Sequence, residues 1–189
     1  MNRVSISAAW VLFVSLLATP SMAVEPDSPS VAGVQSEIYR IFLNTWISSD
    51  KTPVNVSRRA EPLSPDDIKV FDDCSDGKHK WVSIVSGQDL AGQLADLSYV
   101  RLVNPDTWKP KDPAELMAHG RSVDSAVGEG INNGLMTLSV VALDTTAKTA
   151  ALRYAFVCGA LCGSGGAVLF TLTPQGWAMD QRQCGGWIS

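Results

Sequence analysis

Histidine is scarce in this chain: two residues of 189, His79 and His119. That leaves few groups suited to proton transfer near neutral pH. Positive charge is not in excess, since 15 Lys and Arg face 19 Asp and Glu for a formal net charge of −4. A nucleic-acid binder needs a basic face to neutralise phosphate, and an anionic membrane attracts a polybasic segment; this chain offers neither. Beyond the N-terminus no apolar run reaches the ~20 residues of a membrane-spanning helix. There is no internal repeat and no low-complexity tract. Gly128-Glu129-Gly130 lacks the downstream glycine and preceding strand of a phosphate-binding loop.

What is present begins with a leader. Asn2-Arg3 is a short positive region, Ala8 to Ala18 is almost unbroken apolar sequence, and Pro20 interrupts it. Ser21-Met22-Ala23 then places small residues where a signal peptidase cuts. Residues 1–23 therefore read as a secretory signal peptide, too short for a comfortable anchor and with no following cysteine to lipidate. A periplasmic or secreted protein is expected, with no membrane insertion after cleavage. Val24 to Gly33 contains two prolines and two serines and reads as a flexible leader. Residues 34–189 fit one domain.

Within that domain, Val34, Ile38, Ile41, Phe42 and Trp46 recur at helical spacing, a core-facing stripe ending near Ser48-Ser49-Asp50. Thr52 to Ser57 suggests a short strand. Ser64-Pro65-Asp66-Asp67 is a helix start, with a serine cap, proline in the first turn and two carboxylates behind it. Asp72 to Gly77 reads as a turn, Trp81 to Val85 as a strand, Gly87 to Leu97 as a helix and Tyr99 to Val103 as a strand. Asn104 to Pro113 reads as a loop, and Ala114 to Asn133 has a helical signal only near its start. Period-two alternation then marks Met136 to Ala142 and Ala150 to Cys158, followed by apolar Ala167 to Thr173, a Pro174-Gln175-Gly176 turn and a strand from Trp177. The expected fold is α+β, with N-terminal helices packed on one face of a C-terminal antiparallel β-meander.

Four cysteines in an exported chain favour bridges, and three pairings are possible. Cys158–Cys162 with Cys74–Cys184 is favoured, because the glycines around the first pair let the chain bend to bridge geometry. Two chemistries compete. Thiol exchange wants a Cys-x-x-Cys at a helix N-terminus, whereas this is Cys-x3-Cys between strands. Zinc could draw on Cys74, His79, Cys158, Cys162 and Cys184, without a familiar finger spacing. Gly163-Ser164-Gly165-Gly166 resembles the nucleophile loop of trypsin-like proteases only weakly, lacking its aspartate; Ser164 with His79 or His119 would make a small hydrolase on another fold. The acidic run Asp66, Asp67, Asp72, Asp73, Asp76 lacks the twelve-residue calcium pattern and is better explained by capping and a solvated turn.

Leu138-Ser139, Thr149 to Tyr154, Cys158-Gly159-Ala160-Leu161-Cys162-Gly163, Gly165, Gly176-Trp177 and the final Trp187-Ile188-Ser189 resemble an uncharacterised family of exported bacterial proteins. That family carries a CGxLCGxG turn near the C-terminus and closes on Trp-Ile-Ser. Cys74 and Cys184 fall outside its pattern, as a pair peculiar to this chain. The resemblance implies export and a similar fold and brings no activity. The expectation is a binding or interaction domain for a protein or small molecule, without cofactor, metal or evident catalytic residues. Its contact surface would be the exposed part of the Cys158–Gly166 loop with Ser164, Trp177 and Trp187; a Ser164 hydrolase and a metal-binding domain are the alternatives.

Overall fold

The computed structural model describes residues 31–47, 53–75, 77, 79–83, 89–146 and 148–189. The expected signal peptide, residues 24–30 of the leader, the Ser48-Ser49-Asp50 stop and the Ile84–Val85 end of a predicted strand lie outside them.

Helix α1 (Val31–Trp46) begins three residues earlier than its apolar stripe, so Val31 to Gly33 form a first turn rather than leader. Strand β1 (Val54–Ser57) follows, then α2 (Pro65–Cys74). The start of α2 is as its sequence demands: Ser64 Oγ accepts from the Asp67 amide, and the Asp67 carboxylate accepts from the Ser64 amide. Its end is not, because the helix continues through Asp72 and Asp73, which had read as turn; Asp73 is paired with Lys69 one turn back. Strand β2 (Trp81–Ser83), the short α3 (Ala91–Leu94) and β3 (Val100–Val103) come next. Helix α4 (Pro113–Ala118) is capped by Asp112, and α5 (Val123–Asn133), which had no clear sequence signal, is capped by Ser122. Strands β4 (Leu135–Leu138), β5 (Ala142–Asp144), β6 (Thr149–Gly159), β7 (Cys162–Thr173) and β8 (Gly176–Ile188) complete the chain.

All strands join one mixed, mostly antiparallel sheet of eight. It is larger than a C-terminal meander. β1 lies between β3 and β4 and is parallel to both, so this side of the sheet is built by crossovers through the helices. The helices are accordingly interspersed along the chain rather than N-terminal. The strand expected from Met136 to Ala142 breaks at Ser139–Val141, because the Ser139 hydroxyl donates to the Val140 carbonyl and accepts from the Arg153 amide. β4 and β5 thus pair with opposite ends of the long β6, Leu135–Leu138 against Tyr154–Val157 and Ala142–Leu143 against Ala150–Ala151.

Helices cover both faces of the sheet, not one. On the first face α1 brings Ile38, Phe42 and Leu43 against Leu152, Tyr154, Val168, Phe170 and Trp177. On the other α2 brings Phe71 and Cys74 against Ala151, Ala167 and Leu169. The sequence of β6 allows this because Ala150, Ala151 and Leu152 are consecutive apolar residues, all fully buried. No helix among the described residues is long and apolar enough to cross a membrane.

A polar thread crosses the larger core. Gln35 Nε2 donates to the Tyr39 hydroxyl, which donates to the Ser139 carbonyl, both at 2.8 Å, and burial holds the Tyr39 pKa far above its ordinary value. Tyr39→Phe removes one hydroxyl and strands two buried partners, so a loss of about 2 kcal/mol is expected. Urea unfolding of the variant beside wild type measures it.

Candidate functional site

The four cysteines form Cys74–Cys184 and Cys158–Cys162, with Cα atoms 5.7 Å and 5.0 Å apart. The chain is a disulfide-bonded α+β domain. Bridged sulfurs are not thiolates, so a zinc site built on them lacks its ligands. Among the described residues no group of three or more His, Cys, Asp or Glu could hold a metal ion.

The Cys-Gly segment is less of a loop than its composition suggests. Cys162 to Gly166 belong to β7 and pair with β6 as far as Tyr154↔Gly166. Only Ala160 and Leu161 protrude, and the turn is pinned from outside. Asp112 accepts from the Ala160 amide and from the Ala114 amide, both at 2.9 Å, and these bonds hold its carboxyl below the ordinary value. Pro113 packs where a side chain on Gly159 would stand, 2.7 Å from that Cβ position.

Ser164 sits in β7 opposite Phe156 on one side and Ile188 on the other. Neither histidine reaches it. His79 donates from Nδ1 to the nearly buried Asp144 carboxylate at 2.8 Å, and His119 donates to the Glu115 carbonyl at 2.7 Å. The trypsin-like comparison and the Ser164 hydrolase therefore find no base beside the serine. Burial alone would raise the Asp144 pKa, but bonds from His79, Thr146 and the Lys148 and Thr149 amides outweigh it and hold the carboxyl below its ordinary value. A depressed carboxyl stabilises the fold above its unfolded pKa of about 3.9, and that contribution disappears as pH falls through the folded value. Wild-type stability should drop in acid, below about pH 4. Asp144→Asn should be weaker at neutral pH and lose that part of the acid dependence, measured by denaturant unfolding across pH.

Two further members of the acidic run have structural partners. Asp67 pairs with Arg153 at 3.0 Å, and Asp72 accepts from the Trp81 indole at 2.9 Å.

The site that does assemble lies at the end of α1. Trp46 closes the helix over the sheet, its ring centroid 5.2 Å from Tyr154 edge-on and 6.0 Å from Phe156. Beyond it, the start of β7 and the end of β8 carry glycines and so leave space. Trp46, Tyr154, Ser164, Gly165, Gly186, Trp187 and Ile188 line a groove of about 520 Å³. The lining has three aromatic side chains, the hydroxyls of Ser164 and Tyr154, and open backbone. It contains no carboxylate, histidine, lysine or arginine.

Of the residues expected in a contact surface, Ser164 and Trp187 meet in this groove. Trp177 does not: it is 9% exposed and packs in the α1 core. The Trp187 ring lies over Gly163 and Gly165, where a Gly165 Cβ would come 2.7 Å from ring atom Cε2. Trp46, Tyr154 and Ile188 were not anticipated as site residues. Trp46 is the last member of the α1 stripe and only half-buried, because the helix ends where the sheet beneath it turns to glycine. Ile188 is a large apolar residue 89% exposed at a strand end, and its place beside Trp187 was the available signal. No protein-family model, curated protein or solved structure matches this chain.

Proposed function

We propose that this chain is an exported binding domain, periplasmic or secreted, that engages its partner through the groove between Trp46 and Ile188. The observation that carries the reading is the character of that groove: about 520 Å³, aromatic-walled and without a carboxylate, histidine, lysine or arginine in its lining. Such a lining suits apolar recognition oriented by a few polar groups, here the Ser164 and Tyr154 hydroxyls and open backbone. Export rests on the Asn2-to-Ala23 leader and on two disulfides, which persist in oxidising compartments. The resemblance of the C-terminal Cys-Gly turn and closing Trp-Ile-Ser to a family of exported bacterial proteins is in keeping with this reading.

Two measurements test this. Intact mass of the protein recovered outside the cytoplasm should lack residues 1–23 and should take up no alkylating agent before reduction; a full-length, alkylatable chain overturns export. For the groove, a photo-crosslinking amino acid is placed at Ile188 in the native host and, as a control, at Gln175 in the exposed β7–β8 turn. Adducts are expected from position 188 and not from 175. Absence of adducts at 188, or equal yields at both positions, would count against the groove.

A further inference from the structure

We infer that the partner is an extended peptide segment that adds as a strand to the outer edge of β8 and places an apolar side chain in the Trp46–Ile188 groove. The inference rests on the binding reading above and names the partner's chemistry. β8 is thirteen residues long and pairs with β7 alone among the described strands. The other sheet edges, β2 and β3, have three and four residues. A long open edge presents a row of backbone donors and acceptors, and the occupant that satisfies such a row is another extended backbone.

The edge is not uniformly open. Between the pairs Val168↔Gln183 and Phe170↔Met179, β8 carries extra residues that bulge, and Asp180 and Arg182 close on each other there at 2.7 Å. A bulge with charges is a usual way to block lateral pairing, so the middle of β8 is protected. The last stretch is not. Ser189 and Gly163 exchange both backbone bonds, Ser189 N to Gly163 O at 3.0 Å and the reverse at 3.3 Å. Antiparallel alternation then turns the Ile188 N–H and C=O away from β7, toward the free edge. The Ile188 side chain borders the groove, as do Ser164 of β7 and Tyr154 of β6. A strand laid beside Ile188 would thus set every second side chain at the groove mouth, with main-chain bonds for affinity and the groove for selectivity.

The test uses the processed, disulfide-intact protein. Octapeptides are selected from a random phage-displayed library, resynthesised with a fluorophore and measured by anisotropy. Selected sequences should carry a large apolar residue. Ile188→Pro removes the outward N–H and leaves the Ser189–Gly163 bonds, so it should weaken binding at least tenfold while Ile188→Val does not. Methylating the peptide amides one at a time needs no protein variant, and should weaken binding at alternate positions only. Selection of no peptide overturns the inference, as does an Ile188→Pro protein that folds and binds like wild type. Methylation effects without a period of two overturn it as well. Loss of binding in Trp46→Ala with none of these edge effects would leave the groove reading standing and remove strand addition. Sedimentation showing a dimer that Ile188→Pro dissociates would make a second copy the occupant and overturn the peptide assignment.

Discussion

Replacing Cys74 and Cys184 together with alanine is expected to remove about 5 kcal/mol of stability, the chain-entropy value for so long a loop. The bridge spans 110 residues of sequence, from the end of α2 to the last part of β8. A loss of that size is a large part of the 5–15 kcal/mol that folded domains have in total. It corresponds to a fall in melting temperature of roughly 10–20 °C for a chain of this length. Packing adds to it, since Cys74 is 7% exposed and touches Phe71 in the smaller core, where alanine leaves space. The matched replacement of Cys158 and Cys162 should cost only about 2 kcal/mol, because the sequence separation is 4. The Asp112 bonds would continue to hold that turn. Denaturant unfolding of the two double variants gives the comparison directly. Equal losses would mean that the long bridge joins parts already held together by packing.

The unequal worth of these bridges parallels what could and could not be read from the chain. Features with local causes were legible. The α2 start lies within four residues, Ser64 to Asp67, and its capping box forms as the sequence implies. The Pro174-Gln175 turn and the β6 and β8 starts follow from period-two patterning and turn residues, whereas β7 begins at Cys162, five residues before the expected Ala167. Features with distant causes were not. β1 pairs in parallel with residues near 101 and near 135, and nothing at Val54–Ser57 announces either partner. Helix α5 contains Gly128 and Gly130, both poor helix residues, and the presence of Gly130 is explained only by contact. A Cβ on Gly130 would come 3.0 Å from Pro113 Cδ and 3.2 Å from the Cys158 carbonyl. The site divides the same way. Ser164 and Trp187 stood out by composition, whereas Trp46 becomes a wall only because α1 ends above a patch of sheet without side chains.

Gly185 shows how much of that architecture hangs on one residue, and Gly185→Val is expected to destabilise the domain by about 3 kcal/mol. Two independent terms set the estimate. The residue has φ of +55°, a left-handed conformation that costs an L side chain about 1–2 kcal/mol and more when it is β-branched. Its Cβ position is also 2.7 Å from Val70 Cγ1, so a side chain there pushes α2 off β8. Neither strain has an easy release. Cys184, one residue away, is bonded to Cys74 at the end of α2, which keeps helix and strand together. The extra residue that β8 carries between Cys184 and Trp187 relative to β7 depends on the same left-handed turn. Forcing residue 185 toward an ordinary strand conformation would shift the register beyond it and move Trp187 off the Gly163–Gly165 shelf. The variant should therefore lose stability and also change its tryptophan fluorescence in the folded state. Gly185→Ala should lose less, because it keeps the Cβ approach to Val70 but adds no γ carbons there and carries no β-branched penalty in the left-handed conformation. A Gly185→Val protein as stable as wild type, with unchanged fluorescence, would mean that β8 reaches the groove by another path.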